Sequence, residues 1–177
     1  VGVEDMEKMN PGGRPYWIAH PELSSLPRCG PGGPASINKK PDMEAVLAVR
    51  PQLVFITYMD GPLAETVQNR LGIPVIVLDY GAFATFDETV LDSLQLAGRI
   101  LNREERAKQV VNYINALRGE LKRRTAGIAE ERKPGVYVGG LGYRGAHGIG
   151  ISDQRYGPCW GLEARNLAVQ VEASVGS

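Results

Sequence analysis

Apolar and polar positions change period several times along the first half of the chain. Apolar residues three or four apart predict a helix over 43–50, and Pro51 ends it because proline disfavours helix in the residue before it. The apolar run 53–56 is rich in strand formers and predicts a strand that is buried on both faces. A second helix over 62–71 and a second buried strand over 73–78 follow. This order predicts a βαβ unit of a parallel sheet.

Irregular sequence follows both predicted strands, at 57–61 and at 79–83. Ligands of open parallel sheets bind beyond the carboxyl ends of the strands, so these loops predict one rim of a ligand site. Tyr58, Met59 and Tyr80 are the candidate ligand-binding residues there, because tyrosine can stack on a flat ligand and methionine fills irregular apolar surface. The alternative is that they pack beneath the following helices.

Residues 103–128 keep an unbroken apolar spacing without proline and predict one helix about 40 Å long. A capping box at Thr85 and Glu88 predicts the start of the helix before it, and Asn102 predicts the start of the long helix. The long helix either joins two lobes or covers a sheet. The pattern then predicts a strand over 135–139 and is compatible with another helix over 162–171.

The segment 140–145 matches G-x-G-x-x-G directly after a predicted strand. A dinucleotide site needs a helix to begin at once, and the glycines and proline that follow prevent one, so we predict a loop that reaches into a cleft. A guanidinium suits carboxylates and phosphates, imidazole hydrogen-bonds or binds metal, and tyrosine and tryptophan offer apolar faces with polar tips. The alternatives are a solvated arginine, a histidine that ties the loop together and core aromatics. The candidates in this region are Tyr143, Arg144, His147 and Trp160.

Composition removes several classes of function. Twenty Lys and Arg residues balance twenty Asp and Glu residues, which argues against a nucleic-acid partner, and no apolar run has the length of a membrane span. Cys29 and Cys159 give no disulfide framework, and we favour two free thiols over one bridge. Metal-ligand spacing and a G-x-S-x-G nucleophile elbow are both missing, so we predict no catalytic residues and no metal site.

Two motifs resemble consecutive signatures of the substrate-binding proteins of ABC importers for ferric siderophores, haem and vitamin B12. Residues 42–54, Asp-Met-Glu-Ala-Val-Leu-Ala-Val-Arg-Pro-Gln-Leu-Val, resemble N-x-E-x-I-x-x-L-x-P-D-L-V, with Gln52 where the family has Asp. Residues 71–79, Leu-Gly-Ile-Pro-Val-Ile-Val-Leu-Asp, resemble the next signature. Gly161 to Ala168 also resembles the G-x-x-N-x-A turn of the family.

The resemblance implies an α/β protein of the class III periplasmic-binding-protein type. Residues 1–101 would form a parallel-sheet first lobe without the family's first strand, 102–130 a spine helix between lobes, and 131–177 the start of a truncated second α/β lobe. The first residues lack the basic head and apolar core of a signal peptide, so we expect the true N-terminus to lie upstream.

The same resemblance implies capture of a metal chelate in the periplasm or on a membrane-anchored lipoprotein, and delivery to a membrane permease. The chelate, a ferric siderophore, haem or cobalamin, is cargo, and no intrinsic cofactor or catalysis is implied. Glu44 matches the family glutamate that docks onto a permease arginine, although by position alone it is an acid that complements a helix dipole. The competing hypotheses are an intracellular doubly wound α/β enzyme of hydrolase type and a bare metal-ion binding protein.

Overall fold

The structure, a computed structural model, describes residues 2, 4, 5, 15–33, 36–57, 59–81, 87–140, 152–154 and 156–168. The chain divides into two compact units, Val1–Asp79 and Tyr80–Ser177, and each is described by itself.

The first unit contains the predicted βαβ arrangement. Its two strands are parallel and pair in register from Val54 with Val75 to Thr57 with Leu78, which confirms the predicted strand order. The segment before residue 40 also contains two short helices, and Trp17 in the first of them is buried. The elements of this unit are α1 (Pro15–Ala19), a 3₁₀ helix (Pro21–Ser25), α2 (Met43–Ala48), β1 (Val54–Thr57), α3 (Gly61–Leu71) and β2 (Val75–Leu78).

Aspartate side chains cap the N-terminal ends of α2 and α3. The carboxylate of Asp42 accepts a hydrogen bond from Ala45 N at 3.0 Å, and that of Asp60 accepts one from Leu63 N at 2.8 Å. Each bond satisfies a backbone donor that has no partner inside its helix. Gly72 ends α3 with φ of +64°, a left-handed conformation that glycine adopts at little cost.

The core of the first unit lies around α3 rather than around β1. The side chains of β1 from Val54 to Ile56 are only half-buried, so the prediction of a strand buried on both faces was wrong. Among the residues that the structure describes, β1 pairs with β2 alone, which leaves its other edge uncovered by a strand. The core consists of Val46, Met59, Ala64, Val67 and Leu71.

The second unit is built on two consecutive helices. The longer one is continuous over 22 residues, Glu104–Thr125, which confirms the predicted long helix at a length of about 33 Å. Its role as a connection between lobes stays a prediction. The elements of this unit are α4 (Glu88–Ile100), α5 (Glu104–Thr125), a 3₁₀ helix (Glu130–Arg132), β3 (Gly135–Val136), α6 (Gly157–Gly161) and β4 (Arg165–Asn166), with β3 and β4 parallel.

Both predicted helix starts in this unit were wrong. The N-cap of α4 is Asp87, whose carboxylate accepts from Thr89 N at 3.1 Å, and Thr85 lies outside the described residues. The long helix starts after Arg103, because Asn102 has φ of +53° and cannot serve as the N-cap.

The helix considered for 162–171 does not form over 162–167, and of its described residues only Ala168 is helical. Arg165 and Asn166 form β4 beside β3, and Glu163 has φ of +51°. The side-chain amide of Asn166 donates to the carbonyls of Asp153 at 2.9 Å and Gln154 at 3.0 Å, so it holds a turn. The strand predicted over 135–139 is confirmed only for Gly135 and Val136.

The close approach of α4 and α5 depends on Gly98, which is buried. A Cβ atom at this position would lie 2.5 Å from the Cβ of Ala107, and Arg103 N donates to Gly98 O at 2.7 Å. We expect Gly98→Ala to lower the free energy of unfolding by about 1 kcal/mol, because overpacking outweighs the better helix propensity of alanine. Urea unfolding measures this change.

The matched control is Gly119→Ala in α5, where a new Cβ would meet nothing within 4 Å. The same substitution should there stabilise the protein by about 0.5 to 1 kcal/mol. Adding Ala107→Gly to Gly98→Ala should recover much of the loss. If Gly98→Ala stabilises the protein as Gly119→Ala does, the two helices do not need the glycine.

Candidate functional site

The loop at the carboxyl end of β1 divides into a core residue and a surface carboxylate. Met59 is 7 % exposed and belongs to the core with Val46 and Val67, which favours the packing alternative over ligand contact. Its ligand role stays a prediction, and Tyr58 lies outside the described residues.

Asp60 forms two hydrogen bonds with Asn38, a residue that the sequence did not single out. We call this pair of hydrogen bonds the clasp. The amide nitrogen of Asn38 donates to the Asp60 carboxylate at 2.7 Å, and Asp60 N donates to the Asn38 side-chain oxygen at 3.0 Å. The Leu63 N–H and then the Asn38 amide hold the pKa of Asp60 below its ordinary value. Asn38 lies in a turn-rich segment and has φ of +52°. Asparagine tolerates this left-handed conformation in turns, and this preference is the one local feature of the sequence that points to Asn38. The clasp fixes the turn around Asn38 to the start of α3.

We expect Asn38→Ala to raise the pKa of Asp60, because one of the hydrogen bonds to the charged form is lost. A lowered folded-state pKa stabilises the protein above the unfolded-state pKa, and this stabilisation is lost as pH falls through the folded value. The variant should therefore show a weaker dependence of the unfolding free energy on pH in the acidic range. Carboxyl NMR titration measures the pKa, with Asn69→Ala on the exposed side of α3 as control. An unchanged pKa would mean that the clasp does not form in solution.

The candidates that fall in the second unit differ in how far they are described. Tyr80 is 36 % exposed and Trp160, on α6, is 61 % exposed, so neither is a core aromatic. The exposure of Trp160 rules out the alternative that it is a core aromatic, and its ring offers a large apolar surface for ligand contact. Tyr143, Arg144 and His147 lie outside the described residues, and their ligand roles stay predictions.

Glu44 is exposed in the first turn of α2, as expected for a docking residue and equally for an acid that complements the helix dipole. The two cysteines are free thiols, Cys29 half-buried and Cys159 buried.

The described residues contain neither a cluster of metal ligands nor a membrane-spanning helix. In that part of the chain, no three His, Cys, Asp or Glu side chains come together as a metal site would require. None of the helices described above has both the length and the apolar character to cross a membrane. Glu44 and Met59 belong to the first unit, while Tyr80 and Trp160 belong to the second.

The profile of a family described as periplasmic binding protein matches residues 35–157, which include the βαβ unit, the long helix and β3. The chain belongs to this family. The match confirms the α/β fold that the two sequence motifs imply, of the class III periplasmic-binding-protein type.

Solved periplasmic binding proteins share the fold. A periplasmic solute binding protein of Veillonella parvula superposes with a TM-score of 0.59 at 22% identity, over 78% of this chain and 39% of its own. A periplasmic haem-binding protein of Pseudomonas aeruginosa gives 0.56 at 22% identity, over 94% of this chain and 54% of its own. The molybdate-bound protein MolA of Haemophilus influenzae gives 0.55 at 17% identity, over 70% of this chain and 41% of its own. The chain thus spans about two fifths to one half of their length. Comparison with curated protein sequences gave no match.

Proposed function

We propose that this protein is the extracytoplasmic solute-binding component of an ABC importer, which captures a ferric siderophore, haem or cobalamin and delivers it to a membrane permease. The observation that carries the proposal is the family match over residues 35–157, since periplasmic binding proteins bind and hand over solutes. The haem-binding protein among the structural neighbours supports a chelate as cargo.

The exposed aromatic side chains support a planar or bulky ligand over a bare ion. Trp160 and Tyr80 both present ring surface to solvent, and aromatic rings bind flat ligands through stacking and apolar contact. A bare transition-metal ion would instead need several His, Cys or carboxylate ligands in one place. Aromatic surface with a few polar anchors is common to all three chelates, so the proposal covers the three together.

The test is a binding assay on the full-length protein after purification without added ligand. Hemin, a ferric catecholate siderophore, cyanocobalamin, molybdate and free ferric iron are titrated separately, with tryptophan fluorescence as the signal. We expect one of the three chelates to bind with a dissociation constant in the micromolar range or below, and mass spectrometry to detect the same compound carried through purification. Binding of molybdate or free iron alone would contradict the proposal.

Glu44 is the proposed docking residue for the permease. We expect Glu44→Lys to reduce transport about tenfold or more, because a lysine would face the permease arginine and like charges at an interface cost several kcal/mol. Ligand affinity should stay unchanged. The control is Glu65→Lys, the same charge reversal at an exposed position of α3. Equal losses of affinity and transport would place Glu44 at the ligand rather than at the permease.

A further inference from the structure

Three exposed apolar side chains form a row along α5. Tyr113 is 66 % exposed, Leu117 48 % and Leu121 37 %, and the spacing of four residues places each one turn beyond the last. The buried side of the same helix carries Val111, which is 8 % exposed. At 3.6 residues per turn, Tyr113 and Leu117 lie about 160° and about 120° from Val111 around the helix axis. The row, which we call the α5 stripe, is therefore separate from the side by which α5 packs within the second unit.

An exposed stripe of this kind indicates an interaction surface. Single apolar side chains on a surface are ordinary, whereas a contiguous row of large ones marks a place where another surface binds. Side chains four residues apart form a ridge with grooves beside it, and such a ridge suits packing against a second helix. The charges of α5 identify which helix fits.

Acidic and basic side chains lie at opposite ends of α5. The first turn contains Glu104 and Glu105, and the last turn contains the basic residues 122–124. Glu105 and Arg123 are separated by about five turns, so they lie on one line along the helix, about 80° from Tyr113. Two helices with this pattern attract when they are antiparallel, because each acidic end then faces a basic end, and repel when they are parallel.

We propose that two copies of this protein associate through the α5 stripe, with their α5 helices antiparallel. Glu105 of each copy then lies opposite Arg123 of the other copy. The same register places Tyr113 of one copy against Ala116 and Leu117 of the other, so the exposed ring and the leucine cover each other. The inference does not depend on the proposed function or on which solute is transported.

A second pair of charges fits the same arrangement. Arg106 and Glu120 lie on the side of α5 that carries the stripe. The register that places Glu105 opposite Arg123 brings Arg106 within about one turn of Glu120 of the other copy. Glu120 accepts hydrogen bonds from Arg123 and Arg124 in its own helix, and its two carboxylate oxygens have the capacity for a further donor.

The test is sedimentation equilibrium of the full-length protein over a wide range of concentration. We expect a monomer–dimer equilibrium with a dissociation constant on the order of 10 to 100 µM, because one helix face per copy is a small interface. Leu117→Ser and Tyr113→Ala should each raise this dissociation constant about tenfold or more. Leu162→Ser is the matched control, since Leu162 is 47 % exposed and lies outside α5, and it should leave the dissociation constant unchanged.

Charge reversals test the antiparallel register. Glu105→Arg and Arg123→Glu should each weaken the dimer about fivefold or more, because like charges would then face each other. The two substitutions together should restore the dissociation constant to within about twofold of the parent value, since the pair is again complementary. Lys122→Glu is the control, because Lys122 lies about 180° from Tyr113 around the helix axis and should contribute little to the interface.

Three results would overturn the proposal. A full-length protein that stays monomeric at every concentration would show that the α5 stripe does not pair. A dimer that Leu117→Ser and Tyr113→Ala leave intact would place the interface on another surface. Charge reversals that have no effect singly, or that weaken the dimer without recovery in the double variant, would exclude the antiparallel pairing of two copies.

Discussion

Replacing Leu91 with alanine is expected to lower the free energy of unfolding by about 3 kcal/mol, the largest loss of stability among the substitutions considered. Leu91 is 2 % exposed and lies on the buried side of α4. Removing its three outer carbon atoms costs the transfer free energy of those atoms, and the cavity left behind adds a second cost because the surroundings relax only in part. Urea unfolding monitored by circular dichroism gives the value.

Leu101→Ala is the control for this prediction. It removes the same atoms at the C-terminal end of the same helix, where the side chain is 52 % exposed, so the change should stay within about 0.5 kcal/mol. A similar effect of the two substitutions would mean that Leu91 is not packed in solution. A change in the denaturant slope for Leu91→Ala would indicate altered compactness of the native or denatured state, or a loss of two-state unfolding.

The first unit was predictable because its signals are local. Asp42, Pro51 and Gly72 mark the ends of helices through cap and proline chemistry that acts within a few residues, and the two apolar runs between such marks can only be short strands. The parallel pairing then follows, since a helix connects the strands.

The sequence-based predictions fail where contacts between residues far apart in the chain determine the local structure. Residues 162–166 have apolar spacing that fits a helix, yet Arg165 and Asn166 pair with β3, a strand about thirty residues earlier in the chain. Cross-strand pairing of this kind overrides local propensity and leaves no mark in a short window. The incorrect start at Thr85 has a different cause, because Thr85 and Asp87 are both good N-cap residues and the sequence does not say which one is used.

The candidate site shows the same difference between features set by local sequence and features set by distant contacts. The exposure of Glu44 fits its early position in a short helix, whereas the burial of Met59 depends on the packing of α2 and α3 around it. Asn38 was missed because its partner Asp60 lies 22 residues away. Its contact could not be derived from spacing.

Trp160→Ala is expected to weaken binding of the transported chelate by about 2 kcal/mol or more, roughly thirtyfold in dissociation constant. This prediction rests on the proposed function. Trp160 is 61 % exposed at the end of α6, so its ring is available for contact, and removing it should scarcely change the free energy of unfolding. Calorimetry with whichever of hemin, the ferric siderophore or cyanocobalamin binds the parent protein measures the affinity.

Two further variants separate ligand contact from a general effect on the second unit. Trp160→Phe keeps an aromatic face and should retain most of the affinity, while Leu162→Ala, 47 % exposed and two residues away, should bind as the parent protein does.

The chain has only two tryptophans, and Trp17 is 4 % exposed, so ligand quenching that survives in Trp17→Phe reports on Trp160 alone. If Trp160→Ala binds with unchanged affinity but its fluorescence is no longer quenched by the ligand, Trp160 lies near the ligand and does not contribute to the affinity. Unchanged affinity together with a parent signal that never responded to ligand would exclude Trp160 from the site.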